Sequence, residues 1–161
     1  CTGGADSVFT RIITENSNKL SSPLGGDSGI NLVFEPDLLD RTDWYTYNDD
    51  KYGRTDLETF KGRLSPEKLL ATKALSSSNE QMFRTGISTK SIKVITCTDE
   101  NMIKLAMTIL RDAGVTELNG KPIEDMVILA ESKSDILRIS TSSSIENERS
   151  ARDILAGSKQ D

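Results

Sequence analysis

The chain has 161 residues, 35% of them hydrophobic and 28% charged, with a net charge of −5 and a pI near 4.9. That size suits one domain with a proper apolar core, no apolar run approaches the roughly 20 residues of a membrane helix, and no basic stripe is present to track a nucleic-acid backbone. Histidine is absent, which removes Ser-His-Asp and Cys-His catalysis and His-ligated zinc, and leaves carboxylates, hydroxyls, thiols, Arg and Lys for any chemistry.

The opening CTGGADSVF carries neither the basic start nor the apolar run of a signal peptide, and no initiating Met. The expectation is a single domain, 1–161, forming part of a longer polypeptide. SVFTRIIT, 7–14, is rich in β-branched and aromatic residues and predicts a strand. NSNKLSSPLGGDSG, 16–29, is turn chemistry, and INLVFE, 30–35, predicts a second strand stopped by Pro36. DRTDWYTYNDDKYGRTD follows, polar and aromatic at once, with no clear period. SPEKLLATKAL, 65–75, predicts a helix with Ser65 as N-cap and Pro66 at the first helical position.

SIKVITC, 91–97, predicts a strand. DENMIKLAMTILRDAG, 99–114, predicts a helix with Asp99 at its start, Gly114 at its end, and Met102, Ile103, Ala106, Ile109, Leu110 and Ala113 on one apolar face. A turn at Asn119-Gly120 precedes two expected strands, DMVILA (125–130) and DILRIS (135–140), and a last helix is expected over 145–156. These elements predict an α+β class, a mixed or antiparallel β core with several helices.

The stretch RISTSSSIENERS, 138–150, combines an Arg, a Ser-Thr-Ser and a Glu-x-Glu, the three signatures with which ADP-ribosyltransferases bind and split NAD. In that fold the triplet and the Glu-x-Glu are far apart in the chain, and three residues cannot bridge them. Ser143 and Glu146 instead fit a capping box, with Glu146 and Glu148 in a helix's first turn where negative charge is favoured. The stretch is therefore read as structural.

ALSSSNEQMFRTGISTKSIKVI, 74–95, has a Ser/Asn/Glu run, a Gly-Ile turn and an Ile-led strand. This order resembles the catalytic segment of mono-ADP-ribosylating toxins of the cholera and pertussis type. The resemblance puts Glu80 in the place of the catalytic glutamate. Ser78 stands where the family usually has Glu or Gln, which leaves transferase and NAD glycohydrolase both open. CTGGADSVFTRIITEN, 1–16, resembles the family's approach to its Ser-Thr-Ser strand, with Thr10 as the remaining hydroxyl. The family's NAD-binding Arg would lie before Cys1, or Arg11 fills that role. The resemblance covers about residues 1–97 and implies NAD as substrate, a protein acceptor, and a toxin secreted or delivered into a target cell.

The single Trp and all three Tyr fall within WYTYNDDKY, 44–52. Rigid aromatics in a polar stretch suit a contact surface. Trp44 and Tyr45 could stack on a base of NAD, or the segment could serve a non-enzymatic protein-interaction module. Asp49 and Asp50 lie in the same stretch without an EF-hand pattern. Arg84, four residues after Glu80, is a candidate for pyrophosphate contact through its planar fork. A third reading, a thiol-dependent hydrolase using Cys1 or Cys97, lacks a histidine base.

Overall fold

A computed structural model describes residues 8–15, 29–48, 63–71, 75, 79–83 and 85–158. In chain order these form β1 (Val8–Thr10), β2 (Ile30–Phe34), β3 (Trp44–Tyr47), β4 (Arg63–Leu64), α1 (Pro66–Leu70), β5 (Glu80–Phe83), β6 (Ile92–Cys97) and α2 (Glu100–Asp112). They continue with β7 (Glu117–Leu118), β8 (Lys121–Pro122), α3 (Ile123–Met126), β9 (Val127–Leu129), α4 (Lys133–Thr141) and α5 (Ala151–Ser158). Short 3-10 turns occupy Pro36–Asp40 and Thr89–Ser91. The class is α+β, with one antiparallel sheet, one mixed sheet and a small hairpin. The chain divides into two compact units, Cys1–Lys19 with Asp37–Ile87, and Leu20–Pro36 with Ser88–Asp161.

The first unit is built on a four-stranded antiparallel sheet in the order β1-β5-β3-β4. Trp44 and Phe83 pair across β3 and β5 and stack with ring centroids 5.9 Å apart. The aromatic segment that showed no period is thus partly a strand, as its β-forming residues favour. Alternation sends Trp44 and Thr46 into the unit and leaves Tyr45 half-buried. Ser65 caps α1, accepting from the Lys68 N–H at 3.2 Å, and the buried Leu69 faces inward from a helix that packs on β3. That helix ends at Leu70, earlier than expected. The strand expected over 7–14 stops at Thr10, for a reason given by Asn79 below.

The second unit holds the order β2-β6-β9, antiparallel then parallel. Ile95, Cys97 and Val127 form a core with Ile103, Ala106 and Met107 of α2, Ile123 of α3, and Ala151 and Ile154 of α5. The α2 ends are as expected: Asp99 accepts from the Met102 N–H at 2.9 Å, and Gly114 takes a φ of +77°. There the Val115 N–H reaches the Leu110 carbonyl and the Gly114 N–H that of Arg111, closing a Schellman motif. The buried face differs. Met107 is buried, whereas Ile109 and Ala113 are exposed, because the inward set runs 103, 106, 107, 110.

Asn119 and Gly120, both at positive φ, make the two-residue turn between β7 and β8. The Asn119 side-chain amide also donates to the Thr89 and Ile92 carbonyls. Three expectations fail here. Residues 135–140 are helix α4 rather than a strand, since Ser132 accepts from the Asp135 N–H while the Asp135 carboxylate accepts from the Ser132 hydroxyl and the Glu131 N–H. The final helix begins at Ala151 rather than 145, and its box is Ser150 with Asp153. The Asp125-Met126 start of the strand expected over 125–130 belongs to α3.

Candidate functional site

Glu80 opens β5, an interior strand of the first unit's sheet, directly opposite Tyr47 of β3. The strand alternates half-buried Glu80 and Met82 with buried Gln81 and Phe83. The carboxylate therefore leaves the sheet on the more open face, the face that Tyr45 shares through its pairing with Met82. The backbone beside it is fixed. Thr46 Oγ1 donates to the Glu80 carbonyl at 3.0 Å, and both flanking residues, Asn79 at 1% and Gln81 at 0% exposure, are buried amides.

Those amides form a network. Asn79 Oδ1 accepts from the Ile12 N–H at 2.8 Å and from Gln81 Nε2 at 2.7 Å, while Asn79 Nδ2 donates to the Ile12 carbonyl at 2.9 Å. One carboxamide thus satisfies both backbone groups of Ile12. It substitutes for a ladder pair just beyond Thr10, which is why the regular strand ends there.

Thr10 pairs with Gln81, not with Glu80, and its hydroxyl donates to Gln81 Oε1 at 3.4 Å. Thr10, Gln81 and Thr46 make a polar row across three strands on the face opposite the Glu80 carboxylate. Thr10 therefore supports the strand rather than the carboxylate itself. Arg11 is exposed, and its Nε donates to the Asn79 carbonyl at 3.3 Å. That oxygen belongs to the peptide leading into Glu80, so the guanidinium is anchored at the foot of the candidate carboxylate.

Trp44 is a core residue at 2% exposure, its ring against Phe83 and its Nε1 donating to the Arg41 carbonyl. Arg41 lies over the same Phe83 ring at 5.0 Å and pairs with Asp43, and it donates to the Gly86 carbonyl and the Thr85 hydroxyl. Sequence reasoning did not single out this clasp; the Arg-x-Asp spacing ahead of Trp44 was its only trace. Hydrogen bonds from Arg41 and then Thr85 hold the Asp43 carboxyl well below its ordinary value. Arg84, Ser78, Asp49, Asp50, Tyr52 and Cys1 lie outside the described residues.

Cys97 is buried, and burial, then the nearby Asp99 charge, pushes its thiol up to about 12. A thiolate nucleophile is disfavoured there. In the 138–150 stretch, Arg138 of α4 forms an ion pair with Glu148 and a second with Asp135 at 3.4 Å, and Ser142 Oγ donates to the Ser144 carbonyl. Ser143 and Glu146 precede the helix and form no capping box; the Glu146 N–H goes to Ser144 Oγ. Among the described residues no helix is long and apolar enough to cross a membrane, and no cluster of three metal-ligating side chains occurs. Compared with protein-family models, curated proteins and solved structures, the chain matches none.

Proposed function

We propose that the chain splits the nicotinamide–ribose bond of NAD, as a mono-ADP-ribosyltransferase domain or an NAD glycohydrolase, with Glu80 as its catalytic carboxylate. The observation that supports this reading is local: a half-buried carboxylate, Glu80, stands on an interior strand, and the Arg11 side chain donates to the carbonyl of the residue before it, Asn79. Cleavage leaves the bond's electron pair on the nicotinamide nitrogen and positive charge on the ribose, as in glycoside cleavage. A carboxylate beside the ribose favours that charge, more so where water is partly excluded. Arg11 would hold a phosphate of the dinucleotide, and Tyr45, on the Glu80 face, would stack on a base. The oxocarbenium carbon is then taken by water or by a nucleophile of a protein acceptor in a target cell. No histidine is needed.

Two residues that the resemblance would place at the NAD site have other roles: Thr10 supports Gln81, and Trp44 fills the core. The decisive measurement is nicotinamide release from NAD. Glu80→Gln should lower turnover by roughly two to three orders of magnitude while far-UV circular dichroism stays unchanged. Arg11→Ala should mainly raise KM, since phosphate binding is shared by ground and transition states. A Glu80→Gln protein with full NAD turnover would sink the proposal. A wild-type chain that releases no nicotinamide, yet binds a protein through the 44–52 segment, would favour the interaction-module reading.

A further inference from the structure

The Asn79 carboxamide does more than fill space. It makes 2.8 and 2.9 Å bonds to the N–H and C=O of Ile12 and accepts a third, at 2.7 Å, from Gln81. A buried residue that holds a donor, an acceptor and a neighbouring amide at once cannot move without leaving backbone groups unpaired. Its own carbonyl takes the Arg11 Nε, and its peptide bond leads directly into Glu80. The two candidate functional side chains are thus set by one residue. Glu80 is next to it in the chain, and Arg11 is held both by its carbonyl and by the clamp on the following residue, Ile12.

Resting on the NAD reading, we propose that Asn79 is the positioning residue of the site, fixing the distance between the Glu80 carboxylate and the Arg11 guanidinium. Small displacements of a catalytic group cost large factors in rate, so this role falls on kcat. The chemistry of the clamp supplies a specific test. In Asn79→Asp, the ionised carboxylate still accepts from Ile12 and Gln81 but has no hydrogen to give the Ile12 carbonyl, and two oxygens face each other. Protonation restores a donor. Among the described residues, the charged groups adjoining that position are Arg11, which favours the ionised form, and Glu80, which opposes it; β3 contributes the uncharged Trp44 and Thr46 to the buried face.

The experiment is steady-state nicotinamide release by wild type, Asn79→Asp and Glu80→Gln across pH 4 to 8, with circular dichroism at each pH. The expected result for Asn79→Asp at neutral pH is a folded protein whose kcat is down roughly a hundredfold, with a rise in KM smaller than that of Arg11→Ala. Its kcat relative to wild type should then rise as pH falls through the new carboxyl's titration. If Glu80→Gln is inactive but Asn79→Asp keeps wild-type kcat, the positioning role is overturned and the NAD reading stands. A ratio flat in pH, or a variant unfolded at every pH, also overturns it, since Asn79 would then serve folding alone. If Glu80→Gln is fully active, the NAD reading falls and takes this inference with it.

Discussion

Thr96 faces Asn31 across β6 and β2, and at 0% exposure its hydroxyl has no hydrogen-bond partner among the described residues; Asn31 Nδ2 is in the same position. Burying an unpaired hydroxyl costs desolvation that nothing returns. Thr96→Val keeps the branched shape that suits the strand and removes the orphaned oxygen. The expected outcome is a gain of about 1 kcal/mol in unfolding free energy, read from the urea midpoint at constant m. A loss of similar size would show that the hydroxyl is bonded, and the argument would fail. The same logic explains why Asn79 and Gln81 are tolerated inside the first unit: their amides bond to each other and to Ile12 and Thr10.

At the scale of the element, glycine plays two different parts, one past a helix end and one inside a helix. Gly114 closes α2 at a φ of +77° with open space around a would-be Cβ, whereas Gly157 lies within α5, with equally open space and no positive φ. Gly114→Ala should therefore cost about 1 kcal/mol from left-handed strain alone. Gly157→Ala should add roughly 0.5 kcal/mol by reducing unfolded-chain freedom. Thermal melts of the pair check this; equal signs would refute it. Gly114 and Asp99 were legible because caps are local chemistry. DILRIS was misread because Ile136, Leu137 and Ile139 fit either period over so short a run, and the Ser132/Asp135 box that decides it lies partly upstream. Glu80 was legible as a residue type in a pattern, but its relation to Thr10 was not: opposite faces follow from the Thr10–Gln81 register, which one strand's sequence does not encode. The Asn79 clamp, which links positions 67 residues apart, left no local trace either.

Over the whole molecule, the ionisable groups set a definite pH profile. With no histidine in the chain, no side chain with an ordinary pKa between 5 and 8 is present. Among the described residues, three carboxyls are lowered by folding. Asp43 is lowered by hydrogen bonds from Arg41, Glu124 by its own backbone N–H and then Arg111, and Asp125 by Arg152. For each, the unfolded chain takes up its proton at a higher pH than the native protein does. Their contribution is thus complete above the ordinary carboxyl range and is lost as pH falls through that range toward the native values. The urea midpoint should stay level from pH 6 to 8 and fall below roughly pH 4. Because these pairs are exposed, 1 M NaCl should flatten the acid limb. Asp43→Asn should flatten it without salt, by removing the carboxyl that Arg41 and Thr85 both hold. A midpoint that drifts between pH 6 and 8 would require a titrating group that this assignment lacks. An acid limb insensitive to both salt and Asp43→Asn would place the proton-linked groups elsewhere in the chain.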